Sequence, residues 1–138
     1  MSNTIQFPML GDARGSLVVL EAQKQIPFDI QRVYYIFGTQ EGIARGFHAH
    51  KELLQVAVCV SGQCKMLLDN GNEKTVITMD SPTHGVLIDR MVWHEMHDFS
   101  SDCVLLVLAS AHYDEADYIR NYDDFTSLSS IEKGRISE

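Results

Sequence analysis

An Asn70-Gly71 pair stands between two strand-like runs, residues 63–68 and 74–79, and this is a strong short-range signal for a β-hairpin. The same punctuation recurs along the chain. Residues 16–21, 32–37, 56–60, 86–89, 93–99 and 104–109 are short runs of β-branched, aromatic or aliphatic residues, separated by stretches such as Gly38, Ser61-Gly62 and Ser81-Pro82-Thr83-His84-Gly85. Residues 7–12 open with a short strand and a turn. Pro27 marks an edge or loop, because it has no N–H to give a ladder, and 39–44 form a polar loop. Many short strands with a turn about every ten residues predict an all-β domain, an antiparallel sandwich or barrel. Only the end differs. Asp114-Glu115-Ala116-Asp117 predicts a short helical turn, and 126–138 predicts a polar tail, loose or lightly docked. No linker, helical repeat or low-complexity segment divides the chain, so a single domain over 1–138 is expected, with its core in about 5–125.

Composition narrows function mostly by exclusion. With 138 residues, 45% of them apolar and 22% charged, the chain has the make-up of a globular domain large enough to bury a core. A net charge of −8 argues against nucleic-acid or anionic-membrane binding, which wants a basic face, yet leaves room for a small anion met by local arginines. No apolar stretch reaches the roughly 20 residues needed to cross a bilayer. Met1-Ser2-Asn3-Thr4 lacks the charged start and apolar core of a signal peptide. Cys59, Cys64 and Cys103 have no metal-type spacing and lie in or beside strand-like runs, as buried free thiols do in a reducing cytoplasm.

The chemistry concentrates in Arg45-Gly46-Phe47-His48-Ala49-His50-Lys51. Two histidines one residue apart share a face of an extended strand, because side chains alternate with period two. Each imidazole can carry a proton near neutrality, and a basic residue on either side suits an anion. This stretch is expected to floor an active site. A His-x-His strand, a glutamate a few residues on and a later histidine form the metal site of many cupin barrels. The chain offers His48, His50 and His94, but Gln55 stands where the glutamate belongs, and a neutral amide is a poorer partner for a divalent cation. No metal and no other cofactor is expected. On a regular strand Arg45 faces away from His48 and reaches the site only through a bulge or from the strand end. Tyr34 and Tyr35 occupy opposite faces, so one of them lines a cavity.

Several stretches together resemble the sugar 3,4-ketoisomerases of the cupin superfamily. They are Asp12-Ala13-Arg14-Gly15, Ile26-Pro27-Phe28, Arg32-Val33-Tyr34-Tyr35, the run from Arg45 to Lys51, Trp93-His94-Glu95-Met96 with Asp98-Phe99-Ser100, Leu106-Val107-Leu108-Ala109-Ser110, and Asp117-Tyr118-Ile119-Arg120-Asn121-Tyr122. The resemblance runs over residues 7–125. It implies a small jelly-roll barrel, a homodimer with exchanged N-terminal strands, and catalysis without a metal. The implied substrate is a dTDP-linked nucleotide sugar, dTDP-4-keto-6-deoxy-D-glucose, on routes to deoxyamino sugars of O-antigen and S-layer type glycans. Family members deliver either a galacto or a gluco 3-keto product. Arg14-Gly15 is similar to the galacto-producing kind, which implies dTDP-3-keto-6-deoxy-D-galactose.

Carbonyl migration from C4 to C3 needs little beyond proton traffic, for which imidazole is suited. His50 is expected as the base at C3, with His48 shuttling a proton between oxygens or orienting the sugar. Arg14 and Tyr35 are expected to hold the sugar and the developing oxyanion. Arg45, Lys51 and Arg90 are candidates for the diphosphate. Trp93 is a candidate to stack on thymine, and Glu95 to hydrogen-bond an imidazole. His84, His97 and His112 receive no chemistry. Three other readings stand beside this one: a cupin that binds a nucleotide sugar without turnover, a dTDP-sugar 3,5-epimerase, and a metal-dependent cupin enzyme.

Overall fold

The structure, a computed structural model, describes residues 3–137. Met1, Ser2 and Glu138, at the ends of the expected span, lie outside the described residues. In chain order the strands are β1 (Thr4–Gln6), β2 (Met9–Asp12), β3 (Gly15–Val18), β4 (Arg32–Ile36), β5 (Arg45–His50), β6 (Gln55–Ser61), β7 (Cys64–Asp69), β8 (Lys74–Met79), β9 (His84–Ile88), β10 (Trp93–His97), β11 (Val104–Ala109) and β12 (Tyr118–Ile119). A 3₁₀ turn at Glu115–Asp117 precedes β12, and helix α1 (Tyr122–Ser137) follows it. Two five-stranded antiparallel sheets result, in the orders β1-β9-β6-β11-β4 and β12-β5-β10-β7-β8, with β2 and β3 pairing as a separate hairpin. This is the jelly-roll arrangement.

Alternation along each strand sets three layers of packing. Ala57 and Cys59 of β6, Leu105 and Val107 of β11 and Val86 and Ile88 of β9 face Met66 and Leu68 of β7 and Met96 of β10, forming the core between the sheets. The other face of β6 and β11, with Val56, Val58 and Leu108, is also buried, under Phe7, Ile26 and Phe28. That is why these two strands read as unbroken apolar runs. On the outside of the second sheet, Ala49, Trp93 and Ile119 are covered by Phe125 of α1.

The hairpin at Asn70-Gly71 is present. Asp69 pairs with Lys74, Gly71 has φ +93°, and Asn70 Oδ1 accepts from the N–H groups of Asn72 and Glu73. The 3₁₀ turn at Glu115–Asp117 is likewise where a helical turn is expected, capped by Asp114. The segment after residue 125 departs from the loose tail of the sequence reading, because it continues α1. Asn121 Oδ1 caps the helix through the Asp124 N–H, Asp123 and Asp124 sit in its first turn, and fully buried Phe125 anchors it to the second sheet. Arg90 fastens the outer side through an ion pair with Glu132.

Candidate active site

His48 and His50 project from β5 into the barrel, as their spacing predicts, and His94 of β10 meets them. His94 is directly opposite His48 in the ladder. The ring centroids of His48 and His94 are 4.4 Å apart, and those of His48 and His50 are 5.1 Å apart. Each ring has one nitrogen facing an oxygen. His50 Nδ1 is 3.1 Å from Asp117 Oδ2, His48 Nδ1 is 3.1 Å from the Gly46 carbonyl, and His94 Nδ1 is 3.5 Å from the Val92 carbonyl. An oxygen acceptor at Nδ1 selects the tautomer with the proton there, so Nε2 keeps its lone pair.

A bulge in β5 brings Arg45 to the same face as the pair. Glu95 pairs with Gly46, but the next step pairs His94 with His48, so Phe47 has no partner. Gly46 at φ +94° and Phe47 at φ +63° supply the turn. A Cβ on Gly46 would come within 3.0 Å of the His94 carbonyl oxygen, which is the close approach a glycine permits. The extra residue reverses the alternation, and Arg45 takes the His48 side of the sheet.

The wall around the imidazoles is polar. Tyr118 of β12 lies 4.3 Å from the His50 ring and 5.0 Å from the His48 ring, and the Arg120 guanidinium stacks on it at 4.2 Å. Across the barrel, Tyr34 donates to Gln55 Oε1 at 2.7 Å. Arg32 lies 5.5 Å from the Tyr34 ring. Among the described residues, Arg32 Nε and Gln55 Nε2 are buried donors without a protein acceptor. A cavity of about 170 Å³ opens here, lined by Arg32, His50, Leu53, His112, Asp117 and Tyr118.

Burial governs the electrostatics. It lowers His50 to about 4, helped by neighbouring His48, while Asp117 acts in the opposite sense. Burial likewise lowers His94 to about 3 and lowers His48 against the pull of the Gly46 carbonyl. All three imidazoles are therefore neutral at neutral pH, the form that can accept a proton. Burial raises the Tyr34 phenol to about 12, so it stays a donor.

Several residues expected at the site stand elsewhere in the chain. Tyr35 faces outward from β4, 62% exposed beside Phe37, and Tyr34 occupies the inner face. Trp93 and Glu95 fall on the outer side of β10 because His94 and Met96 take the inner one. Trp93 packs under Tyr122 and Phe125, and its indole N–H donates to Glu95. The imidazole that Glu95 bonds is that of His97, at 2.8 Å, not one of the three inside. Lys51 and Arg90 line a different groove of about 440 Å³ against α1, with Met91, Leu128 and Glu132. Arg14 sits at the tip of the β2–β3 hairpin, its side chain 90% exposed and paired with Asp12.

Asp117, Tyr118, Arg32 and Arg120 were not singled out from the sequence. Asp117 is the most consequential, since it also accepts from the Glu52 and Leu53 N–H groups and so holds the β5–β6 loop on the pair. All four lie in stretches that carry the family resemblance, Arg32-Val33-Tyr34-Tyr35 and Asp117-Tyr118-Ile119-Arg120, but nothing in those stretches gives Asp117 its partner.

His48, His50 and His94 each offer one ligand atom within 4.8 Å of the others, a set that can hold a divalent cation. No carboxylate joins them in that grouping, and the Gln55 oxygen is committed to Tyr34. The donor set is neutral and lacks the anionic ligand that would offset the ion's charge.

The fold is shared more widely, for the rmlC epimerase of Mycobacterium tuberculosis has it. Its TM-score is 0.72 at 17% identity, over 83% of this chain and 66% of that one. A family model described as FdtA: WxcM-like, C-terminal, matches residues 1–130, and the chain belongs to that family. The TDP-4-oxo-6-deoxy-alpha-D-glucose-3,4-oxoisomerase of Aneurinibacillus thermoaerophilus is 58% identical over 124 residues, covering 90% of this chain and 89% of that protein. QdtA, a sugar 3,4-ketoisomerase from Thermoanaerobacterium thermosaccharolyticum solved with TDP, superimposes with a TM-score of 0.91 at 45% identity over 94% of each chain. A variant of that enzyme holding TDP-4-keto-6-deoxyglucose gives 0.89 at 44% identity, over 94% of this chain and 95% of the other.

Proposed function

We propose that this chain is a sugar 3,4-ketoisomerase that moves the carbonyl of TDP-4-keto-6-deoxyglucose from C4 to C3, with His50 as the base. The observation that carries the chemistry is the pairing of His50 Nδ1 with Asp117, which leaves Nε2 unprotonated on a ring that lines the cavity and has the His48 ring 5.1 Å away. The 4-keto group acidifies the C3 hydrogen. His50 Nε2 removes it, and the electron pair forms the C3–C4 double bond of an enediolate with its charge on O4. His48 carries the O3 proton to O4, the C3 carbonyl forms, and the proton held on His50 returns at C4. Atoms and charge balance within one molecule, and no step asks for a metal or a redox partner. General acid–base help of this kind contributes on the order of 10²–10⁴-fold.

Arg32 and Arg45 supply positive charge on the inner face, and Tyr34, a phenol that stays protonated, supplies a further donor for a developing oxyanion. The buried Arg32 Nε and Gln55 Nε2 suit sugar or phosphate oxygens. Arg14 enters through assembly. The β2–β3 hairpin is exposed, with Met9 and Leu17 outward, and the outer face of β4 presents Val33 and Tyr35. We assign these apolar surfaces to a homodimer in which N-terminal strands are exchanged and Arg14 reaches the partner's cavity, directing the C4 proton to give the galacto product. Lys51 and Arg90 then serve the diphosphate only from the rim. Among the described residues no helix is long and apolar enough to cross a membrane. We assign the enzyme to the cytoplasm, on a deoxyamino-sugar route.

The test is incubation with TDP-4-keto-6-deoxyglucose, trapping of the unstable product with a 3-aminotransferase, and assignment of C3 and C4 by NMR. A 3-amino sugar of galacto configuration is expected. An unchanged 4-keto sugar would mark a binding module, and inversion at C3 and C5 would mark an epimerase.

A further inference from the structure

The described residues hold a second cluster of ligand-type side chains, unrelated to the imidazoles. Cys59, Cys64 and Cys103 are all buried, and their sulfurs lie within 4.8 Å of one another. Gln55 and Cys59 share the inner face of β6, so the sulfurs lie about 13 Å along the strand from the Gln55 end, at 3.3 Å per residue. We propose that the three cysteines form a binding site for one thiophilic d¹⁰ cation of the zinc or cadmium kind.

Three observations carry this. The first is spacing. Cys59 Sγ and Cys103 Sγ are 3.7 Å apart. A disulfide needs about 2.05 Å between sulfurs, whereas metal–sulfur bonds of about 2.3 Å place two thiolates roughly 3.8 Å apart in a tetrahedral site and roughly 4.0 Å apart in a trigonal one. One edge of the cluster, Cys59 to Cys103, therefore has the length found in a metal–thiolate site, and Cys64 Sγ lies within 4.8 Å of both.

The second is how the cluster is held. Cys59 and Cys64 flank the β6–β7 turn, and Cys103 arrives from the loop before β11. Gly62 in that turn, at φ +69°, lies so close to the loop that a Cβ would come within 2.4 Å of Ser100 Oγ and 2.7 Å of Cys103 Cα. Ser100 fixes the two segments together, its N–H donating to the Gln63 carbonyl at 2.9 Å and its Oγ accepting from the Gln63 N–H at 2.9 Å. The third is the local field. The Cys59 thiol donates to the Ser61 and Gly62 carbonyl oxygens at 3.2 and 3.4 Å, and the negative ends of these carbonyls favour a proton, or a cation that takes its place, beside the sulfur. Each thiol that binds the ion loses its proton to water, with no change of oxidation state. Entry needs only a local opening of the turn and the loop, whose residues Ser61, Gln63, Ser101 and Asp102 are exposed.

The experiment is titration of the reduced full-length protein with Cd²⁺, reading the ultraviolet thiolate-to-cadmium charge-transfer absorption and the melting temperature. One equivalent should saturate the absorption and raise the melting temperature, also when Zn²⁺ has been bound first, because the softer Cd²⁺ displaces it from thiolates. The His94→Asn variant should keep the band. Cys59→Ala, Cys64→Ala and Cys103→Ala should each lose affinity by at least about tenfold, the smaller loss seen when even an outer-shell partner of a metal is removed. Wild-type protein without a charge-transfer band overturns the proposal whether or not the variants fold. So does a band that survives all three cysteine substitutions, or one that His94→Asn abolishes.

Discussion

His50 and Asp117 stand 67 positions apart in the chain, yet His50 Nδ1 and Asp117 Oδ2 meet at 3.1 Å, because β12 pairs with β5 and sets Tyr118 opposite His50. The carboxylate fixes the tautomer and the direction of the ring from its Nδ1 side. It is a positioning residue.

Asp117→Asn should therefore lower kcat by roughly 10–10²-fold while KM changes little, a part of the roughly 10²–10⁴-fold that acid–base assistance supplies in full. Steady-state kinetics separates the two constants. A change confined to KM would show that Asp117 only shapes the cavity. Its side chain also accepts from the Glu52 and Leu53 N–H groups, so the melting temperature should fall as well.

The pH dependence has a definite sign. His50 must be neutral to accept a proton, and burial lowers it from the ordinary value of about 6.5 to about 4. The acid limb of kcat/KM should then fall near pH 4, leaving activity nearly flat between pH 6 and 7. Stability follows the same shifts. The unfolded chain takes up imidazole protons as pH drops below about 6.5, whereas folded His50 and His94 do so only near 4 and 3. Stability is intact above that window and is lost as pH falls through it. Melting temperatures measured from pH 8 to 4 should show a plateau and then a decline.

Tyr34→Phe removes the donor to Gln55 Oε1 inside the barrel and should destabilise the protein by about 1–3 kcal/mol, the cost of an orphaned buried acceptor, with a fall in turnover. Tyr35→Phe, on the outer face of the same strand, should leave both unchanged. Urea denaturation of the two variants, with kinetics alongside, checks the assignment of faces.

Gly46→Ala places a Cβ 3.0 Å from the His94 carbonyl oxygen at a backbone angle of φ +94°. The cost should be about 1–3 kcal/mol, and activity should drop more than stability alone explains, because the bulge sets the facing of both Arg45 and His48. Denaturation midpoints and kcat/KM report the two effects separately.

The sequence was most legible where periodicity carries the information. The strands from residue 32 to 109, the Asn70-Gly71 hairpin and the common facing of His48 and His50 follow from alternation and turn chemistry, and each is where it was expected. The condition placed on Arg45, a bulge, is met at Phe47. Parity also held an answer left unread: once His94 faces inward, Trp93 and Glu95 must face outward. Asp117 was beyond reach because its role depends on the β12–β5 register, which no local pattern encodes. Helix α1 was missed because its residues are mostly polar and only Phe125 of its described apolar residues is buried, Leu128 and Ile131 being exposed, so its stability rests on docking of Phe125 against Trp93 and Ile119. Arg14 is legible as a motif, but within this chain it sits exposed at a hairpin tip, and its role at the cavity rests on the proposed dimer.

The central claim is that His50 carries hydrogen between C3 and C4 of the keto sugar. The most direct measurement is turnover of TDP-4-keto-6-deoxyglucose in deuterated water, followed by NMR of the trapped product. Wild-type enzyme should place deuterium at C4, to the extent that the proton on His50 exchanges before it returns. His50→Asn should give neither product nor label while still binding TDP. Full turnover by His50→Asn would contradict the account.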